Sequence, residues 1–341
     1  MSDYKSENNI NSNRTFRDLQ QFFEHRGRKV FEMAKQAILE EKVESKEVEK
    51  AFQYFATNYW CDLARPTLLS LCCEAVGGNP QATISAAIST SLISGGIDIH
   101  DDIIDLSEVK NGRPTVYGKF GKDIALLVGD ALMFKGLALL HRLNMEIGKE
   151  KFAVVSKVLK SMFFELGDAE AMELRFRKRF DVSSNMYLAV VRKKAADVEA
   201  HARIGVILGN GTEEETKILS KYGRNLGMLL ILIDDNADMI HPRELLHRIR
   251  KEHLPFPMLC ALEDPKVKPR VISLLKKKRL KKVDAKELFK EVYDGGGFDR
   301  VKGIMKNFVE EGVVGLERLS FCRTELVFLI RATLIEKKVN L

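Results

Sequence analysis

The chain has 341 residues, 45% of them hydrophobic and 30% charged, with a formal net charge of +7. This is the balance expected of a soluble globular protein with one large or two ordinary domains. No unbroken apolar run reaches ~18 residues, which argues against a transmembrane span. The positive charge suits an anionic substrate or an anionic membrane surface without choosing between them.

Met1–Arg14 is polar and rich in Asn and Ser, unlike a secretory or mitochondrial presequence, and is expected to be a disordered leader ahead of a single domain over 15–341. Only eight prolines occur, and apolar residues recur at i, i+3, i+4 and i+7, so an all-α chain is expected. Helical periodicity starts near Phe16 and runs through Phe22, Phe23, Val30, Phe31 and Ala34 to Leu39. Glu40 to Lys50 reads as a charged connection. Pro66 can open a helix over Thr67 to Ala75, and Gly77-Gly78-Asn79-Pro80 is a turn by composition. From Gln81 an apolar helix carrying Ser91, Ser94, Gly95 and Gly96 leads into Asp101-Asp102-Ile103-Ile104-Asp105. A loop follows, Lys110-Asn111-Gly112-Arg113-Pro114-Thr115, and then helices around Gly129-Asp130 and over Lys151 to Arg177, Asn185 to Leu208, Glu213 to Asp238 and Glu244 to Ala261. The tail from Lys266 is broken by Gly295–Gly297 before two more helical stretches. The five cysteines are odd in number and scattered without metal-ligand spacing, as expected of reduced core thiols in a cytoplasmic protein.

Two acidic clusters stand out, Asp101-Asp102-x-x-Asp105 and Asp234-Asp235-x-x-Asp238. At 3.6 residues per turn the first and last Asp of each share a helix face. Like charges so placed destabilise a helix and call for a counter-charge. Mg²⁺, which takes carboxylates together with substrate phosphate oxygens, is the natural candidate. Two facing acidic helices therefore suggest a diphosphate clamped between metal ions. The basic run Lys276 to Lys282 lacks aromatic interleaving and any recognition motif, so no nucleic-acid partner is expected; a solvated face, or at most peripheral contact with an anionic membrane, is.

From about Phe16 to Leu341 the chain resembles the trans-isoprenyl diphosphate synthases. The resemblance rests on His100-Asp101-Asp102-x-x-Asp105, Gly112-x-Pro114-Thr115-Val116-x-x-x-Phe120-Gly121, Gly129-Asp130-x-Leu132, Tyr187-Leu188 followed by Lys194, Tyr222-Gly223-x-x-Leu226-Gly227 ahead of Asp234-Asp235-x-x-Asp238, and Lys251-x-x-Leu254-Pro255, all in order and spacing. It implies the class I isoprenoid synthase fold, a helical bundle around a central cavity. It also implies three Mg²⁺ ions in the substrate-bound state. Asp101, Asp105, Asp234 and Asp238 are the implied metal ligands, with Asp102 and Asp235 completing the catalytic clusters. Lys194 and Lys251, helped by Lys110, would draw charge from the diphosphate of an allylic substrate as its C–O bond breaks. Pairing through the helices flanking the first cluster would make a homodimer.

The departures from the family pattern concern the acceptor. Relatives that add isopentenyl diphosphate hold its phosphates on Gly-Gly-Lys-Arg-x-Arg-Pro, which here is Trp60-Cys61-Asp62-Leu63-Ala64-Arg65-Pro66. A histidine contact falls at Ser94, an Arg-Arg pair at Lys110-Asn111, and Phe-Gln at Leu230-Ile231. The allylic side is thus nearly intact while the acceptor side has lost cations. That favours ionisation followed by cyclisation or quenching, as in terpene synthases. Two alternatives stay open: a prenyltransferase whose acceptor site is rebuilt with Arg65, Arg113 and Lys119, and a non-catalytic subunit of a heteromeric synthase. Gly95 and Gly96, with Ile97 beside them, are expected to line an open pocket floor for a C15 to C25 chain, C20 favoured.

Overall fold

A computed structural model describes residues 12–110 and 112–334. The expected leader lies outside the described residues as far as residue 11, and the first helix, α1 (Ser12–Leu39), takes in residues 12–14. The charged connection is shorter than its composition suggests. Ser45 caps α2 (Lys46–Tyr54) by accepting from the Val48 amide, and Glu47 and Glu49 sit at its positive end. α2 passes into one π-helical turn, Phe55–Tyr59. Pro66 lies in the first turn of α3 (Ala64–Ala75), as its missing N–H allows.

α4 (Ile84–Ile104) is the central helix and delivers Asp101 and Asp102 in its last turn. A two-stranded hairpin follows, β1 (Val109–Lys110) against β2 (Arg113–Pro114), turned at Gly112 with φ of +74°. Then come α5 (Val116–Phe120), α6 (Lys122–Ile147) and α7 (Lys149–Leu174). The expected single helix over Asn185 to Leu208 is broken at Ala195 into α8 (Ser184–Lys194) and α9 (Ala196–Leu208). α10 (Glu213–Ile240) starts with a full capping box between Thr212 and Glu215 and ends in the second acidic cluster. The stretch expected as one helix over Glu244 to Ala261 is two, α11 (Pro242–Lys251) and α12 (Phe256–Leu262), because Pro255 and Pro257 cannot continue a helix that precedes them. α13 (Lys268–Leu275), α14 (Lys282–Asp294), α15 (Gly297–Val313) and α16 (Arg323–Ala332) complete the bundle. Cys72, Cys73 and Cys260 are buried thiols as expected, whereas Cys61 is exposed.

α4 packs along α6, α3 on α9, and α9 on α10, which in turn meets α15. Tyr222 of α10 is fully buried and donates to the Leu326 carbonyl of α16 at 2.9 Å. By length and composition Pro80–Ile104 and Lys122–Ile147 are long and apolar enough to cross a membrane, although neither contains an apolar run of ~18 residues without a polar interruption. Over the apolar window, 67% of the first is buried and only 33% of the second, so α4 is a core helix while α6 keeps an apolar outer face.

The expected open floor beneath the first cluster is not there. A Cβ on Gly96 would lie 2.6 Å from the Gly129 carbonyl oxygen of α6, and one on Gly95 would lie 3.1 Å from the Phe55 ring. These glycines let α6 and an aromatic pair close on α4. Phe55 stacks on Trp60 at 5.1 Å and fills the space beside Gly95. Ile97 packs with the cluster that includes Leu69, Ile93 and Ala200. Gly96→Ala is therefore expected to destabilise the protein by ~1–3 kcal/mol through overpacking against backbone. An unchanged urea midpoint would contradict this packing.

Candidate active site

The first cluster sits where a helix ends. Asp105 caps α4, its amide donating to the Asp101 carbonyl at 2.8 Å, and Leu106 then turns the chain with φ of +56°. Three carboxylates at the negative end of a helix dipole repel one another and the free carbonyls. Cations from elsewhere in the chain offset this. The hairpin brings Lys110 Nζ to 2.8 Å from Asp102 Oδ1 and 3.4 Å from Asp101 Oδ2. Tyr59 Oη donates to Asp102 Oδ2 at 3.1 Å. The hairpin is itself fixed, because Tyr54 Oη donates to the Pro114 carbonyl at 2.6 Å and Thr115 Oγ1 to the Ser107 carbonyl at 2.7 Å. Asp102 is thus buried and fully engaged, and it supports its neighbours. Asn111 lies outside the described residues.

Asp101 and Asp105 face α7, where sequence reasoning placed no site residue. Oxygens of Asp101, Asp105 and Glu170 all lie within 4.8 Å of one another. Burial, then the charges of Asp101 and Glu252, push the Asp105 carboxyl up to about 8. Burial pushes Glu170 up to about 7, with Asp101 and Glu173 adding to it and Lys194 opposing. Such crowding is relieved by a shared cation, and an all-carboxylate set of oxygens fits a hard divalent ion such as Mg²⁺. Asp101, Asp105 and Glu170 would hold it.

Lys194, at the end of α8, is brought beside the first cluster. Its Nζ is 2.8 Å from Glu170 Oε1 and pairs with Glu173, whose other oxygen pairs with His253. Burial alone would lower the Lys194 ammonium, yet Glu173, Asp101 and Glu170 hold it well above its ordinary value. Arg177 was also missed; its Nη2 donates to the Ile104 carbonyl at 2.6 Å and lies 3.6 Å from Asp105. Asp105, Glu170, Glu173, Arg177, Glu252 and His253 line a tight crevice here. Glu170 and Glu173 stand at i,i+3 near the end of α7, but that helix also carries Lys157, Lys160, Glu165 and Asp168, so nothing in the local sequence set them apart.

The second cluster is differently built. Asp235 is buried, accepts from the Phe256 amide at 3.2 Å at the start of α12, and pairs with Arg248 at 2.9 Å. Asp238 pairs with the same arginine at 2.8 Å. Asp234 makes no ion pair among the described residues; burial, then Asp238 and Asp235, push it up to about 6. Lys251, expected as a diphosphate ligand, is exposed and without an ion pair among the described residues, so the cation the structure brings to this cluster is Arg248. α11 also ties the clusters together, since His247 Nε2 lies 3.2 Å from the Asp105 carbonyl, 3.3 Å from Ser107 Oγ and 3.0 Å from Glu252.

The cations expected to rebuild an acceptor site are mostly committed. Arg65 Nε lies 2.7 Å from Asp197, with Asp62 and Asp98 each at 3.3 Å from its terminal nitrogens. Ser94, at the position of the family histidine, donates to Asp197 at 3.2 Å. This arginine faces three carboxylates and has no charge to spare for a diphosphate. Lys119 lies 3.7 Å over the Tyr54 ring, and Arg113, on the exposed hairpin, donates to the Asn58 carbonyl at 3.2 Å. The basic run Lys276 to Lys282 is exposed except for Leu280, and Lys277 pairs with Asp284 at 2.7 Å.

Comparison with known proteins adds to this geometry. The polyprenyl synthetase family profile matches residues 45–292. The geranylgeranyl diphosphate synthase of Methanosarcina mazei is 29% identical over 286 residues, covering 81% of this chain and 86% of that one. A short chain isoprenyl diphosphate synthase of Methanothermobacter thermautotrophicus is 33% identical over 220 residues, 62% of this chain and 66% of that one. Among solved structures, the geranylgeranyl pyrophosphate synthetase of Pyrococcus horikoshii superposes with a TM-score of 0.81 at 28% identity, covering 94% of this chain and 100% of that one.

Proposed function

Because the chain belongs to the polyprenyl synthetase family, an all-α family of isoprenoid enzymes, we propose that it is a Mg²⁺-dependent prenyl diphosphate synthase. In this reading it ionises an allylic diphosphate at the first acidic cluster and joins the resulting cation to an isopentenyl-type acceptor. The observation that carries the reading is the convergence of Asp101, Asp105 and Glu170 beside Lys194. The names of the relatives described above, all diphosphate synthases, favour chain extension over cyclisation. Two of those names, of geranylgeranyl synthases, also support a C20 product better than the glycines beneath the first cluster do, since Gly95 and Gly96 serve helix packing.

The chain's own residues would act as follows. Asp101, Asp105 and Glu170 hold the divalent ion, which supplies Lewis-acid stabilisation of the departing diphosphate. Lys194, kept protonated by its carboxylate neighbours, meets the negative charge that grows as the bonding pair leaves with oxygen. Lys110 and Tyr59 hold Asp102 and so fix the last turn of α4 under that charge. The acceptor's π electrons would then form the new C–C bond, and the proton lost from the acceptor carbon skeleton would pass to the released diphosphate.

A second reading is favoured by one observation. Arg65 is consumed by Asp62, Asp98 and Asp197, so a second diphosphate finds no free cation there, and cyclisation or quenching of the cation needs none. Product analysis separates the two. The full chain is incubated with Mg²⁺ and C10, C15 or C20 allylic diphosphates, with and without isotopically labelled isopentenyl diphosphate. Label in a longer diphosphate is the expected result; hydrocarbon or alcohol formed without isopentenyl diphosphate would overturn it in favour of the second reading. The outer face of α6, with Leu127, Phe134 and Met145 exposed, is read as the contact of a homodimer, which sedimentation of the purified chain tests.

A further inference from the structure

Arg248 stands among the carboxylates of the second cluster in a way that no sequence pattern announced. Its Nη1 is 2.8 Å from Asp238 Oδ2, its Nη2 2.9 Å from Asp235 Oδ1, and its Nε 3.0 Å from Glu252 Oε2. The side chain is only 12% exposed. A guanidinium does not lose its proton in a protein and offers its donors in a rigid planar fork, so these contacts amount to a permanent cation in a fixed place. Asp235 is further committed to the Phe256 amide. At the first cluster Lys110, Arg177 and Lys194 each pair with one of three carboxylates, and oxygens of these, Asp101, Asp105 and Glu170, still lie within 4.8 Å of one another. At the second the cation lies between the carboxylates themselves.

We propose that Arg248 is a positioning residue that takes the place of a metal ion at the second cluster. It withdraws Asp235 and Asp238 from metal ligation and leaves Asp234 as the carboxylate of that cluster that meets a metal–diphosphate complex. A divalent ion competing for Asp238 has to displace a guanidinium that also pairs with Asp235 and lies 2.8 Å from the His253 ring, in a largely water-free setting where charge-assisted contacts are strong. The metal complement is therefore weighted towards α4 and α7. Arg248 also fixes α11, and through it the His247 contacts to the Asp105 carbonyl and Ser107, so the spacing between the clusters is set by protein rather than by a bound ion. The expectation that Asp238 is a metal ligand is the opposing case.

The proposal rests on the first cluster being the metal–diphosphate site, and the test reports on that point separately. Free Mn²⁺ is read by electron paramagnetic resonance as it is titrated into the full chain with inorganic diphosphate present. Asp101→Asn is expected to weaken Mn²⁺ binding by at least ~10-fold, whereas Asp238→Asn leaves it unchanged. Arg248→Met is expected to add a Mn²⁺ site that Asp238→Asn removes again, and Arg248→Lys to add none. Loss of Mn²⁺ affinity in Asp238→Asn equal to that in Asp101→Asn would overturn the proposal, as would a folded Arg248→Met protein with no added site. Should Arg248→Met fail to fold, as loss of a buried cation from three carboxylates allows, the Asp238→Asn titration decides alone. An Asp101→Asn protein that binds Mn²⁺ normally would overturn the reading of the first cluster instead.

Discussion

Asp101→Ala is expected to lower Mg²⁺-dependent release of diphosphate from an allylic substrate by ~10³-fold or more. Asp101 is the member of the first cluster shared by every feature of the site: it converges with Asp105 and Glu170, takes one contact from Lys110, and adds to the field that holds Lys194 charged. Removing it takes away a metal oxygen and weakens the alignment of the remaining two. Asp234→Ala is expected to act in the same direction, because no other carboxylate of its cluster is free of Arg248 or a backbone amide. Colorimetric phosphate detection after pyrophosphatase treatment reads both variants. Release at the parent rate from Asp101→Ala would sink the metal clamp.

Glu173→Ala is expected to cost stability rather than chemistry alone, by ~3–5 kcal/mol. Glu173 is buried and bridges Lys194 on α8 and His253 just after α11. Taking out the carboxylate leaves Lys194 with one direct ion-pair partner, Glu170, in a poorly solvated place and uncouples α7 from the chain segment that follows the second cluster. Burial works against the Glu173 anion, but Lys194 and His253 hold its carboxyl well below the ordinary glutamate value. The sign of the pH dependence follows. A carboxyl lowered on folding contributes stability above its unfolded pKa and loses it as pH falls through the folded one. Urea unfolding of Glu173→Ala at neutral pH should show a large drop in midpoint, and the difference from the parent protein should shrink as the solution is acidified. A midpoint equal to that of the parent would show that the triad carries no load.

The helical class and the two acidic clusters were legible because both depend on local order. Period and spacing place Asp101 with Asp105, and Asp234 with Asp238, on one helix face whatever surrounds them. What escaped is tertiary. Glu170 and Glu173 gain meaning only when α7 is laid beside the end of α4. The phase of α11 is fixed by burial of Leu245, Leu246 and Ile249, and it is this phase that turns Arg248 inwards and Lys251 out. Only two residues lie between the two basic groups, and a sequence register cannot choose between them.

The glycines of α4 show the same limit from the other side. Gly95 and Gly96 are small in either account, and only the position of Phe55, Trp60 and α6 decides that they admit neighbours rather than substrate. Asp62 was read as a lost cation; the structure adds that it also helps to occupy the cation that survived, Arg65. A single substitution thereby alters a site twice, by its own charge and by the charge it engages.

The most direct measurement is a crystal structure of the full chain soaked with Mn²⁺ and an unreactive allylic thiolodiphosphate, with the metal located by its anomalous scattering. The expected map has Mn²⁺ bound to Asp101, Asp105 and Glu170, with the diphosphate between it and Lys194. Metal absent from the first cluster, or a diphosphate lodged at Arg65 instead, would contradict the site described here.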